Sequence, residues 1–271
     1  MGFLSFILVV FPLVIIHEFG HWVVGKWLGA EPEEFSVGFG KTIVAFQKWG
    51  TNWKIGWIPL GGYVKFKKTQ FAMEFGEGEK TGEKLPAFKW IWISVAGPLS
   101  NFLLTMLIFA GLTFYTMTNT QVGKTADGKK ILVVNLEDSA LRQNLLGVEK
   151  TGTYFVSSDK GYVPYELQPT DKVESVSALS AMGAAAVIGP VFIYHGSIET
   201  AKALGNLFVS KEGYKNLMGP VGIAGVASEA RSSGLVSVLF IMASLSFAIG
   251  FFNLLPLAFL DGGRAVLAAY E

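Results

Sequence analysis

The chain contains no cysteine and little charge, and these two absences exclude several kinds of protein. Without cysteine it can form neither a disulfide framework nor a thiolate metal site, so any zinc site must use histidine and carboxylate ligands. Charged residues make up 16% of the 271 residues and the formal net charge is +1, so nothing indicates nucleic acid as a partner. Hydrophobic residues make up 51% and the mean hydropathy is +0.44, a composition typical of integral membrane proteins.

Four apolar stretches organise the chain, at Phe3–Leu28, Trp90–Met117, Leu179–Tyr194 and Leu235–Leu260. A helix needs about 20 apolar residues to cross a membrane. The third stretch has only about 16, so we expect it to lie on the membrane or partly in it. The sequence therefore predicts a mainly α, multi-pass membrane protein with three transmembrane helices.

The segment between the first two helices is rich in lysine, aromatic residues and glycine. Phe35–Phe46 and Trp53–Phe66 predict a membrane-associated β-hairpin or small sheet. Short lysine-rich loops stay in the cytoplasm, so the first helix is expected to run inward. Thr118–Val176 would then form a small extracytoplasmic α+β insert, with short strands at Ile131–Asn135 and Tyr154–Ser158.

The first apolar stretch carries the sequence His17-Glu18-Phe-Gly-His21. No charged residue occurs from residue 3 to residue 16, and ionisable groups inside a bilayer are functional candidates because burying them is costly. Residues four apart share one face of an α-helix, so His17 and His21 can bind one metal ion, with Glu18 near a water molecule there. This is the spacing of a zinc-peptidase site, with two neutral imidazole ligands and a carboxylate general base. The third histidine, His195, is expected at the surface.

Two histidines leave a catalytic zinc site one ligand short of the usual three protein ligands. Asp261 is a candidate, because it follows an apolar helix broken by Pro256 and precedes Gly262 and Gly263. Asp-Gly-Gly is also typical of a turn that ends a helix at the membrane surface, so residue chemistry alone leaves both interpretations open. Topology favours the ligand, since a third apolar stretch that does not cross lets the fourth run inward and bring Asp261 to the side of His17.

The predicted organisation has four regions and places a metal within the membrane, nearer the cytoplasm. The regions are 1–118 with two helices and the β-loop, 119–177 with the insert, 178–234 as an interfacial amphipathic region, and 235–271 with the third transmembrane helix. A rival interpretation is a transporter or channel that uses intramembrane histidine and carboxylate groups to move metal ions or protons. Inverted repeats would favour the transporter, and the sequence contains no internal repeat.

Five further segments accompany the His17–His21 motif in order along the chain. They are Glu34–Gly40, Ile58–Lys65, Ala96–Asn101, Gly219–Ile223 and Asn253–Gly263. Together these motifs resemble the site-2 protease family of intramembrane zinc metalloproteases (peptidase M50-like), of the bacterial regulator-of-sigma-E protease type. The resemblance implies that His17, His21 and Asp261 bind Zn²⁺ and that Glu18 is the catalytic base.

The resemblance also implies how a substrate is held. Asn253 would contact the substrate backbone, and the hairpin around Gly61, Gly62 and Tyr63 is similar to a β-region to which an unwound substrate adds as a strand. The implied substrate is a single-pass membrane protein, such as an anti-sigma factor or a signal-peptide remnant. The implied location is the inner cell membrane, in contact with the lipid bilayer, with the active site towards the cytoplasm.

The chain departs from the family pattern in several places. Ala258 stands where a second proline is common, and Arg264 stands where histidine is frequent. The family usually carries one or two PDZ domains outside the membrane, but Gln121–Val176 shows no PDZ pattern, so we expect a divergent, truncated or replaced domain there. The family usually continues into a final helix beyond Glu271, so we expect either that the C-terminus of region 235–271 is truncated or that this member of the family is short.

Overall fold

The structure, a computed structural model, describes residues 2–67, 85–134, 153–158, 161–165, 168–169, 171–209 and 219–270. The chain divides into two compact units, Met1–Thr105 with Ser244–Glu271, and Met106–Ala243. The helices are α1 Gly2–Trp27, α2 Ala87–Thr118, α3 Ala178–Val209, α4 Pro220–Ser233, α5 Leu235–Asn253 and α6 Asp261–Tyr270. The strands are β1 Pro32–Lys48, β2 Thr51–Phe66, β3 Thr120–Lys124, β4 Lys130–Val134, β5 Thr153–Ser158, β6 Gly161–Tyr165 and β7 Lys172–Ser175.

Among the described residues, four helices are long and apolar enough to cross a membrane: Leu4–Trp27, Ala87–Thr118, Ala178–Asn206 and Leu235–Asn253. Together with two antiparallel sheets, they confirm the predicted mainly α, multi-pass membrane protein. The sequence predicts a marginal third stretch, but α3 continues beyond it through polar residues and reaches 32 residues. Length and composition therefore do not argue against a crossing by α3, and its interfacial position stays a prediction.

In the first unit, α1 and α2 pack antiparallel. The Ser100 hydroxyl of α2 donates a hydrogen bond to the Ile16 carbonyl of α1 at 2.9 Å. Further along α1 but earlier in α2, the His21 ring donates from Nδ1 to the Ile93 carbonyl at 2.7 Å. These two hydrogen bonds fix the register of α1 against α2. The register determines which groups of α2 face the histidines.

Helix α5 also packs antiparallel to α2. The Ser246 hydroxyl donates to the Asn101 carbonyl at 2.9 Å. Four residues on, a Cβ at Gly250 would lie 3.0 Å from the Pro98 carbonyl oxygen, so the two backbones approach closely where the side chain is missing. Because α1 and α5 are both antiparallel to α2, they run in the same direction.

The loop between α1 and α2 is the predicted β-hairpin. Strands β1 and β2 pair antiparallel, and the pair Lys48–Thr51 closes a two-residue turn at Trp49 and Gly50. Both turn residues have positive φ, 55° and 73°, which is the conformation that type I′ hairpins require and glycine favours. Trp49 and Trp57 are 61% and 74% exposed, as expected for aromatic residues at a membrane surface.

The hairpin bends so that the start of β1 has neighbours on both sides. Residues 34–37 pair with 62–65 of β2 on one side and with 52–55 on the other. Residues 42–48 pair with 51–56, near the hairpin turn. Within the described residues, the end of β2 therefore has a ladder partner on one side only, and its other side is a strand edge.

The second unit contains the insert, a five-stranded antiparallel sheet in the order β6-β5-β4-β3-β7. Its β4 and β5 coincide with the predicted strands at Ile131–Asn135 and Tyr154–Ser158, except that Asn135 lies outside the described residues. The described part of the insert contains strands and no helix. Residues 135–152 lie outside the described residues, so the expectation of a divergent, truncated or replaced PDZ domain stays a prediction.

Candidate active site

Two side-chain atoms from the second half of α1 and one from the start of α6 converge. His17 Nε2 lies 2.9 Å from Asp261 Oδ2, and His21 Nε2 lies 3.3 Å from the same oxygen. The two imidazole Nε2 atoms are 3.3 Å apart. All three residues are buried, with 6%, 8% and 7% of their surface exposed. The structure thus brings together the two histidines of the motif and the candidate third ligand.

These distances fit a bound zinc ion. Ligand atoms held at about 2.0–2.1 Å from a tetrahedral zinc lie about 3.3 Å from one another. The three observed separations run from 2.9 to 3.3 Å, and the donors are two imidazoles and one carboxylate. A buried ion pair between histidine and aspartate would involve only two groups. Here three donor atoms face one position, which is the arrangement of a metal site.

A glycine of α2 leaves room at that point. A Cβ added to Gly97 would lie 2.2 Å from His21 Nε2 and 2.8 Å from His17 Nε2, closer than real Cβ atoms approach such neighbours. The absent side chain therefore leaves space on the α2 side of the donor atoms. That space and the donor set together make the site suitable for zinc.

The far side of each imidazole is also held by α2. His21 Nδ1 donates to the Ile93 carbonyl at 2.7 Å, which leaves Nε2 without a proton in the neutral ring and able to bind a metal. His17 Nδ1 lies 3.2 Å from Nδ2 of Asn101, a residue with 0% of its surface exposed. Both histidine rings are thus oriented by polar atoms of one helix.

Asp261 reaches the histidines because the chain turns back sharply after α5. A Cβ at Gly262 would lie 2.2 Å from the Leu254 carbonyl oxygen, and one at Gly263 would lie 2.0 Å from the Leu257 carbonyl oxygen. Only glycine at these two positions lets the loop pack against the first turn of α6. The Asp-Gly-Gly sequence is therefore a turn and also the feature that positions Asp261 beside α1.

The donor atoms open into a cavity of about 620 Å³, a size typical of ligand sites. Its lining includes all the other residues that the sequence singled out for catalysis or substrate binding, namely Glu18, Asn253, Gly61, Gly62 and Tyr63. The cavity also borders the free edge of β2 between Gly61 and Phe66. A Cβ at Gly62 would lie 3.1 Å from the Glu18 Cγ, so the strand passes directly beside the proposed base.

Tyr63, which lines the cavity, is held in a hydrogen-bonded group with Glu34 and Lys54. The Tyr63 hydroxyl and the Lys54 ammonium group both donate to the Glu34 carboxylate. Burial raises the pKa of Glu34, but these hydrogen bonds outweigh it and hold the pKa below its usual range. The hydrogen bond to Glu34, followed by burial, raises the pKa of Tyr63, so its hydroxyl stays protonated and fixed beside β2 at neutral pH.

The sequence does not predict Gly97 or Arg264 as site residues, whereas it predicts that His195 lies outside the site, where the structure also places it. Gly97 lies in the Ala96–Asn101 motif, but its role depends on the register of α2 against α1. Arg264, noted only as a departure, lines the cavity, with Nη1 3.9 Å from Asp261 Oδ1. His195 is exposed, packs against the Tyr194 ring, and is not part of the three-donor cluster.

Comparison with known proteins shows the family of the chain. The profile of peptidase family M50 matches residues 5–271. A Mesorhizobium japonicum protein provisionally named as a zinc metalloprotease is 32% identical over 98% of this chain and 88% of its own length. Metalloprotease MmpA of Caulobacter vibrioides is 28% identical over 100% of this chain and 87% of its own length. The chain therefore belongs to peptidase family M50, whose members are zinc metalloproteases.

Proposed function

We propose that the chain hydrolyses a peptide bond within or near a transmembrane segment of another membrane protein, with zinc held by His17, His21 and Asp261. The observation that carries the proposal is the convergence of three donor atoms, within 3.3 Å of one another, on α1 inside an apolar span. When bound, zinc supplies a Lewis acid that activates water and polarises a peptide carbonyl.

Glu18 is the general base of this proposal. It follows His17 on α1 and lines the same cavity, and it interacts electrostatically with both histidines and with Asp261. Its carboxylate would take the proton of the attacking water and later deliver it to the leaving amine. The burial of the ligands limits access to bulk water, which strengthens the electrostatic interactions within the site.

The edge of β2 is the proposed place where the substrate backbone is held. A transmembrane helix hides its peptide bonds, and unwinding it in lipid exposes backbone groups that need partners. Residues 62–65 pair with β1 on one side, and the strand lines the cavity beside Glu18. An unwound segment could add to this edge as a strand, with Asn253 facing it from the end of α5. An anti-sigma factor or a signal-peptide remnant fits this class of substrate.

Metal removal tests the function directly. We expect a reporter with one transmembrane segment to be cleaved by the detergent-purified protein, and cleavage to fall at least about 100-fold after zinc is removed with 1,10-phenanthroline. Stoichiometric Zn²⁺ should restore cleavage, and 1,7-phenanthroline, an isomer that cannot chelate a metal ion, serves as the control. Cleavage that persists in metal-free protein contradicts the proposal. Zinc uptake into proteoliposomes without any cleavage would instead support a transporter.

The direction of the helices supports an interfacial position for α3, and the lysine-rich segment between α1 and α2 supports an active site towards the cytoplasm of the inner membrane. Because α5 runs in the same direction as α1, the number of crossings between them is odd, and α2 supplies one. A crossing by α3 would require another in return. The described residues between α3 and α5 hold α4, whose 14 residues span only about 21 Å against a bilayer core of about 30 Å. We therefore keep α3 at the interface.

Cysteine labelling tests this topology cleanly, because the chain has no native cysteine. Single cysteines are introduced at the exposed positions Ser177 and Ser232, which flank α3 and α4, and at Gln47 in the hairpin. A membrane-impermeant maleimide should label the first two on intact spheroplasts and the third only after permeabilisation. The cysteine-free parent should stay unlabelled. Labelling of Ser177 and Ser232 from opposite sides would show that the region crosses the membrane.

A further inference from the structure

The buried side-chain amide of Asn101 lies beside Nδ1 of the His17 ring. Asn101 lies in α2 with 0% of its surface exposed, and its Nδ2 is 3.2 Å from His17 Nδ1. Its Oδ1 is a buried side-chain atom that has no hydrogen-bond partner among the residues that the structure describes. A buried polar atom without a partner is destabilising, so this arrangement points to a function for the amide.

Metal binding decides which nitrogen of His17 carries the proton. The Nε2 atom faces Asp261 Oδ2 and His21 Nε2, so it must be the ligand atom and must be unprotonated. The neutral ring then carries its proton on Nδ1. An amide NH₂ group cannot accept that proton, whereas an amide oxygen can.

The other histidine of the site shows the arrangement that such a ring requires. His21 directs its Nδ1 at the Ile93 carbonyl oxygen, 2.7 Å away. Its Nε2 faces His17 Nε2 and Asp261 Oδ2, the other two donor atoms of the site. A metal-binding histidine generally donates its second N–H to an oxygen of this kind, which fixes the ring and strengthens it as a ligand. The group facing His17 Nδ1 is the Asn101 amide.

We propose that Asn101 is a positioning residue that accepts a hydrogen bond from His17 Nδ1–H through its Oδ1. The two ends of an amide have nearly the same shape, so a half-turn of the side chain brings Oδ1 to this position without needing more space. Either orientation leaves one amide atom without a protein partner within the described residues, so the atom that faces His17 decides between them. The inference rests on the proposed role of His17 as a zinc ligand.

The backbone of Asn101 is held firmly enough to define this position. Its carbonyl oxygen accepts hydrogen bonds from Thr105 Oγ1 and from Ser246 Oγ, each at 2.9 Å. The first bond comes from α2 itself and the second from α5. The loop after α5 leads directly to Asp261 at the start of α6. Asn101 therefore contacts both the His17 ring and the helix that precedes Asp261.

Zinc affinity, measured by competition with a chelator, distinguishes an amide that accepts a hydrogen bond from a side chain that only fills space. Asn101→Leu and Asn101→Ala remove the acceptor, and we expect zinc affinity to fall about 10–100-fold. Asn101→Asp keeps an oxygen that can accept the proton, so its affinity should stay close to that of the wild type. Thr116→Val is the matched control, a buried polar residue of α2 whose hydroxyl bonds only within its own helix in the described structure.

The thermal unfolding of the zinc-free proteins gives the second measurement. The leucine variant should unfold no more easily than the wild type without zinc, because it removes an unsatisfied buried polar group. Wild-type zinc affinity in the leucine and alanine variants overturns the inference, as does an aspartate variant that binds as weakly as they do. A wild-type protein that binds no zinc would instead overturn the proposed function.

Discussion

Glu18→Gln is expected to lower the rate of substrate cleavage about 10²–10⁴-fold while the protein keeps its zinc. Glutamine has the shape of glutamate but cannot accept the proton of the attacking water. The three proposed ligands lie on His17, His21 and Asp261, whose donor atoms are within 3.3 Å of one another and do not depend on the Glu18 carboxylate. Zinc content and cleavage of a transmembrane reporter, measured on the same preparation, check the result.

Glu229→Gln is the control for this change, because Glu229 is an exposed residue of α4 that does not line the described cavity. It loses the same charge and should cleave the reporter like the wild type. A Glu18→Gln protein that holds zinc and cleaves within about twofold of the wild type would remove Glu18 as the general base, since such a base contributes at least about 100-fold. Loss of zinc in this variant would instead make Glu18 part of the metal site.

The features that could be predicted from the sequence are those that depend on local spacing. The four-residue interval between His17 and His21 places both rings on one face of α1, and segments rich in aromatic and β-branched residues and punctuated by glycines predict the β1–β2 hairpin. Asp261 required more than local spacing, since Asp-Gly-Gly serves equally as a turn. Topology and the family resemblance decided between the two interpretations.

The features that could not be predicted depend on how distant segments align. The space at Gly97 and the contact of the Ile93 carbonyl with the His21 ring exist only in one register of α2 against α1. Helix α3 differs from prediction for another reason. Apolar composition ends near Tyr194, but helix formation does not require apolar residues, so the helix continues to Val209.

Gly97→Ala is expected to abolish zinc binding and cleavage through the addition of one methyl group. The new Cβ would lie 2.2 Å from His21 Nε2, 2.6 Å from His21 Cε1 and 2.8 Å from His17 Nε2. Both rings must move away from the position where the three donor atoms meet. Helix α2 cannot move away instead, because hydrogen bonds at Ser100 and Asn101 hold it against α1 and α5. We expect zinc affinity to fall by at least about 100-fold, more than the loss of a single outer hydrogen bond causes.

Gly111→Ala makes the same change further along α2, where a Cβ meets nothing within 4 Å. Alanine favours a helix over glycine by about 1 kcal/mol, so neither variant should weaken α2 itself. We therefore expect Gly111→Ala to bind zinc and cleave like the wild type, and zinc-free Gly97→Ala to unfold near the wild-type temperature. Wild-type zinc affinity in Gly97→Ala would mean that the metal does not lie between the two Nε2 atoms. If both variants lost zinc affinity equally, the cause would be a change in helix α2 itself and not a clash with the histidines, because Gly97 faces the histidine rings and Gly111 does not.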